Sequence, residues 1–303
     1  MIEWWTQPLL DLGKVDLDHA SCVDYLLWQR FRYDYDGPVG EVCQRIVAVP
    51  RTRHGRLHRR AHRVAVSVPG HADATPPCRV DRRGNLVVNV RLTGALTSVE
   101  FSVAATLRRN GPLIDAALPA TSLRAPGHLR PTARTTADDE LRAVAGELRA
   151  SSSDDAEFGE AACRLVNAGL DYGFGSTSVQ TTAAEAWAIG RGLCQDSAHI
   201  LLALCRAVGV PARYVSGHLL GEPGCSHAWV EVLVPDGAAA RAIAFDPSNG
   251  CRAGPRHLPV AVGRDYADVA PTSGWYCGQA RGAGALTCEK RAGVTAVGFA
   301  AVA

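Results

Sequence analysis

RGLCQDSAHILLALCRAVGVPARYVSGHLL (residues 191–220) is the stretch from which the fold can be read. Gly190 and Gly192 precede Cys194, after which Leu201, Leu204, Cys205 and Val208 recur at helical spacing, so a helix starts near Cys194 with one apolar face. Gly209 can take the left-handed conformation that closes a helix, and Pro211 forbids its continuation. A cysteine in the first helical turn sits among unpaired backbone N–H groups at the positive end of the macrodipole, an environment that favours its thiolate. Cys205 lies three turns further on, inside the apolar stripe, and reads as core.

Beyond Pro211 three strands are expected: ARYVSGHLL (212–220), HAWVEVLVP (227–235) and RAIAFDP (241–247). His227 opens the second and shares one face with Trp229 and Glu231. Asp246 ends the third, and the connection VPDGAAAR (234–241) would return it to the neighbourhood of His227. Cysteine, histidine and aspartate then arrive on consecutive elements as nucleophile, proton carrier and ring-orienting carboxylate, so Cys194, His227 and Asp246 are the candidate catalytic residues. Trp229 and His218 are candidates to line a substrate cleft, with Trp229 equally readable as core. His199 lies about 140° around the helix from Cys194, which places it poorly as that cysteine's base. Asp196 reads as a first-turn carboxylate that stabilises the helix.

Upstream the periodicity changes. QRIVAVP (44–50), HRVAVSVPG (62–70), GNLVVNVRL (84–92) and SVEFSVAATL (98–107) are short, valine-rich runs bounded by turn residues, and predict an antiparallel β-sandwich over residues 30–110. An extension, 1–29, precedes it with a short helix around Cys22–Trp28. Pro and Gly interrupt residues 111–137, which read as a linker. Residues 138–303 form the second expected domain. Helices there begin in DDELRAVAGELRA (138–150), with Thr136 as cap, and in DAEFGEAACRLVNAGL (155–170); Thr181 or Thr182 caps a further one over 183–189. The fold class is α+β.

Composition narrows the function classes. Lys plus Arg is 32 against 30 acidic residues, a net charge of +2, so nothing global advertises a polyanionic partner. The run RTRHGRLHRRAHR (51–63) lacks interleaved aromatics and reads as a solvated face, so no nucleic acid is expected. Ten cysteines form no CxxC pair, and the irregular spacing of Cys225, Cys251, Cys277 and Cys288 predicts no metal. The acidic amino-terminal stretch is unlike a secretory signal and no apolar run is long enough for a membrane span, so a cytoplasmic chain without membrane contact is expected. No GxGxxG or GxxxxGK pattern appears, and no cofactor is expected.

GLCQDSAHILLALCRAVGVPARYVSGHLL, SHAWVEVLVPDG and AFDPSNG together resemble the bacterial transglutaminase-like superfamily, whose fold is related to papain-like cysteine peptidases. The resemblance implies a Cys-His-Asp triad at Cys194, His227 and Asp246, with the nucleophile at a helix N-terminus packed on an antiparallel sheet. FRYDYDGPVGEVCQRIVAVPR (31–51) and DRRGNLVVNVRL (81–92) are similar to the β-rich region that precedes many such cores, and HLPVAVGRDYADVAPTSGWYCG (257–278) to the segment that follows the triad. Ser197 stands where members usually carry an aromatic residue. The implied chemistry is thiol-dependent hydrolysis of a peptide, protein or small amide through an acyl-enzyme thioester. Transfer of the acyl group to an amine acceptor and an inactive binding protein are the alternatives.

Overall fold

From Cys22 the chain runs as one long strand, β1 (Cys22–Ile46), where the sequence suggests a short helix over Cys22–Trp28. Val23, Tyr25 and Leu27 pack into the main core while Leu26, on the opposite face, is also fully buried, so the apolar run carries no period-2 signature. The computed structural model describes residues 4–111, 115–222, 224, 226–278 and 284–299. β1 pairs with β3 (Leu86–Asn110), which in turn pairs with β2 (Leu57–Ser67), all antiparallel. The β1–β3 register shifts between Asp34 and Val39, where Pro38 has no N–H to donate, and Gly94 of β3 lies nearby with φ +135°. At that bend the sheet folds over itself. Phe31, Val64 and Phe101 of one half meet Val42, Ile46 and Val88 of the other, so the expected sandwich is built from a single sheet.

Residues 115–137, read from sequence as linker, pack on the second sheet instead. Ala116–Pro119 forms a strand there, and Thr135 is buried and accepts a hydrogen bond from Arg206. Four helices follow: α1 (Asp139–Ser151), α2 (Asp155–Gly169), α3 (Ala183–Ile189) and α4 (Cys194–Ala207). The cap of α1 is Asp138, which accepts the Leu141 N–H at 2.9 Å, while Thr136 donates to the Thr132 carbonyl. Thr182 caps α3 in a reciprocal pair with Glu185. α4 is buried along its whole length from Asp196 to Arg206, because the other helices cover one side and the sheet the other. Full burial of Ile200, Leu201, Leu202 and Leu204 contributes about 1.5–3 kcal/mol each.

The second sheet holds β4 (Ala212–Leu219), β5 (His227–Asp236), β6 (Ala239–Asp246) and β7 (His257–Gly263), ordered β6-β5-β4-β7. The last strands, β8 (Thr272–Gly278) and β9 (Ala285–Gly298), do not stay with it. They pair antiparallel with β1 and cover the edge that β3 leaves open, so the unit expected over 138–303 gives its C-terminal strands to the first sheet. Cys288 on β9 is disulfide-bonded, which a reducing compartment does not predict. Cys225 lies outside the described residues; Cys251 and Cys277 are free and exposed. Among the described residues no helix is long and apolar enough to cross a membrane.

Candidate active site

Cys194 is the first residue of α4, after an extended Leu193. Leucine offers no side-chain acceptor, so the cap is held from the other direction: the Asp196 carboxylate turns back to accept the Leu193 N–H at 2.8 Å and the Thr177 hydroxyl at 2.7 Å. Burial pushes the Asp196 carboxyl pKa up, against these hydrogen bonds. Gly192 is needed for this fold-back, since a Cβ there would lie 2.8 Å from the carboxylate. The first-turn N–H groups of Cys194 and Gln195 have no intrahelical partners, and both residues line the cleft.

His227 begins β5, and its Nε2 lies 2.7 Å from Asp246 Oδ2 at the end of β6. Burial alone would lower the imidazole pKa, but the hydrogen bond to Asp246 and the neighbouring Cys194 sulfur outweigh it and raise it to about 9. With Nε2 committed to the carboxylate, Nδ1 is the nitrogen left for the thiol. Asp246 is completely buried and its pKa is held well below the ordinary carboxylate range, the His227 and His257 rings and Asn249 overcoming the burial cost. Its Oδ1 accepts the Ser248 and Asn249 N–H groups, and its Oδ2 also accepts Asn249 Nδ2 at 2.8 Å.

Sequence reasoning missed His257. Its Nδ1 accepts the Gly254 N–H at 2.9 Å, so Nε2 carries the proton and donates to Asp246 Oδ2 at 3.0 Å. The ligand atoms of His227, Asp246 and His257 lie within 4.8 Å of one another, a spacing a metal could use, but two N–H···O bonds to one carboxylate account for it without an ion.

The cleft above Cys194 and His227 encloses about 540 Å³. Tyr172 and Phe174, 59% and 80% exposed, form its aromatic lip on the cleft that Cys194 also lines. No hydrophobic period marks these two in the sequence. Neither Trp229 nor His218 is among the described residues that line this cleft, which corrects the expectation for both. Each is 2% exposed. Trp229 packs edge-on to His257 at 5.3 Å, in space that Gly217 leaves on the neighbouring strand. His199 is also sealed in the core, where burial lowers its pKa to about 3, and its Nε2 accepts the Tyr266 N–H.

Gly217 therefore shapes the site from behind. A Cβ there would meet the Leu258 carbonyl at 2.3 Å and the Trp229 ring at 2.5 Å, and Gly217 is also the register partner of His227. Gly217→Ala should displace the indole and His227 with it, at a stability cost of about 1–3 kcal/mol. Tryptophan fluorescence and urea unfolding measure both effects; an unchanged spectrum and midpoint would refute the argument.

Residues 142–247 match the family model of the transglutaminase-like superfamily. Over 160 residues the chain is 37% identical to an uncharacterised protein of Mycobacterium leprae, covering 50% of this chain and 55% of that one. A 114-residue stretch is 36% identical to an uncharacterised protein of Mycobacterium tuberculosis, covering 34% and 36% respectively. The chain thus spans about half the length, or less, of these curated relatives. A crystal structure from Cytophaga hutchinsonii, provisionally named a cysteine protease, superposes with a TM-score of 0.71 over 92% of this chain and 93% of that one, at 21% identity, a likeness of fold. By that core match, residues 142–247 carry a core of the transglutaminase-like superfamily.

Proposed function

We propose that the chain is a thiol-dependent acyl-transfer enzyme that hydrolyses a peptide or carboxamide bond. The observation that carries this reading is the Asp246–His227 hydrogen bond on the same cleft that Cys194 lines at the tip of α4. Asp246 holds the ring with Nε2–H bound, and Nδ1 takes the thiol proton. The Cys194 thiolate attacks the substrate carbonyl, and the tetrahedral oxyanion is met by the Cys194 N–H, with the Tyr172 hydroxyl on the same cleft as a second donor. The imidazolium then protonates the departing amine, leaving a thioester that water cleaves. The aromatic lip of Tyr172 and Phe174 favours a substrate with an apolar side chain near the scissile bond.

An amine in place of water would make the same thioester the donor in a transamidation. Intact-mass analysis after incubation with a peptide library and a primary amine separates the two outcomes: hydrolysed product is expected, and amine incorporation exceeding hydrolysis would replace this reading. Iodoacetamide labelling of Cys194 should slow markedly in His227→Ala; equal rates in both proteins would count against an activated thiol.

The pH dependence has a definite sign. His227 holds its proton up to about 9, so kcat/KM should fall as pH rises through about 9, when the donor for the leaving amine is lost. In Asp246→Asn the stabilising carboxylate is gone and this alkaline limb should move down by about one pH unit or more. A limb that stays in place would show that the proton is not on His227.

A further inference from the structure

The basic run at residues 51–63 is not used by the triad, yet its first turn builds a second cleft. This cleft, of about 830 Å³, lies between the two sheets and is lined by Arg51, Arg53 and Arg56 from the first and by Arg213 of β4 and Arg241 of β6. None of its described lining residues is shared with the cleft at Cys194. Its cations are guanidinium groups, planar forks suited to paired oxygens, with no lysine among them.

Asp115 and Asp236 also line the cleft and Arg213 is paired with Glu231 at 2.6 Å, so the arginines without a carboxylate partner among the described residues are Arg51, Arg53 and Arg56. Arg51 donates to the carbonyls of Gly84 and Arg83, and Arg53 to that of Gly55, which satisfies N–H groups but leaves the positive charge in place. Arg241 must share Asp115 with Arg252, at 3.7 and 3.1 Å. Burial, chiefly, and the neighbouring charge of Arg213 lower the Arg51 pKa, against the carboxylates of Glu231 and Asp81. Among the described lining residues there is no Phe, Tyr or Trp to stack a base, which disfavours a nucleic-acid strand.

We propose that this cleft binds a multivalent oxyanion of the phosphate class, gripped by Arg51, Arg53, Arg56 and Arg241. Isothermal titration with inorganic tripolyphosphate, at ionic strength held constant with KCl, tests it. Saturable one-site binding is expected, weakened by about tenfold or more in Arg53→Gln/Arg56→Gln, whose replaced side chains are exposed. Arg79→Gln/Arg82→Gln removes the same charge from exposed positions outside the described lining and should leave the affinity unchanged. Cys194→Ala should bind as the unmodified chain does, since the two clefts share no described residue. Equal weakening in both double variants would reduce the effect to general attraction and overturn the proposal. Tighter binding of a single-stranded oligonucleotide of equal charge, or no saturable binding of tripolyphosphate, would overturn it too.

Discussion

Cys194→Ala should lower turnover by about 10⁵- to 10⁶-fold, with little change in stability. The residue is half-buried and its sulfur lies at the rim of the cleft, so removing it opens no core cavity. What is lost is the atom that forms the thioester, and no other described thiol lines the cleft; Cys205 and Cys163 are moreover buried, with pKa values pushed up to about 12 by desolvation. Asp246→Asn should cost about 10⁴-fold, because an amide can present its N–H to the ring and select the wrong tautomer. That variant should also lose stability, since Asp246 receives hydrogen bonds from two imidazoles, a side-chain amide and two backbone N–H groups. Single-turnover kinetics with thermal melts distinguishes the two variants. Residual turnover in Cys194→Ala within about tenfold of the unmodified chain would remove this cysteine from the mechanism.

Glu231→Ala should destabilise the chain by about 3–5 kcal/mol without touching the catalytic cleft. Glu231 is 2% exposed, and its two oxygens meet Arg213 Nε and His54 Nε2, each at 2.6 Å. His54 comes from the first sheet and Arg213 from the second, so this carboxylate joins the two. Burial would raise its pKa, but Arg213 and His54 overcome that and hold it far below the usual range. A carboxyl whose folded pKa is depressed contributes stability above its unfolded value of 4.5 and loses that contribution as pH falls below it. Acid unfolding of the unmodified chain should therefore be steep below about pH 4.5 and shallower in Glu231→Ala. In the variant Arg213, 5% exposed and with Nη2 already lacking a hydrogen-bond partner, is left as an uncompensated buried charge. Urea midpoints measure the loss, and a change under about 1 kcal/mol would mean that water replaces the carboxylate at no cost.

The sequence by itself determined the α+β class, the helix beginning at Cys194 and the strands carrying His227 and Asp246. These signals are local: glycines and Pro211 bound the helix, and the strands follow one another as antiparallel neighbours, so short connections bring their ends together. The tertiary structure decided what depended on distant chain. β8 and β9 return to β1 because its edge would otherwise leave backbone groups unpaired, and no local pattern in those strands names their partner. Cys22–Trp28 is extended because both of its faces are covered, which erased the alternation by which a strand is read. His257 reaches Asp246 from β7, a strand that pairs with β4 and not with β6, and Trp229 became core because Gly217 vacates the space it fills. The arginines of the second cleft are dispersed along the chain, so only the folded chain gathers their charge in one place.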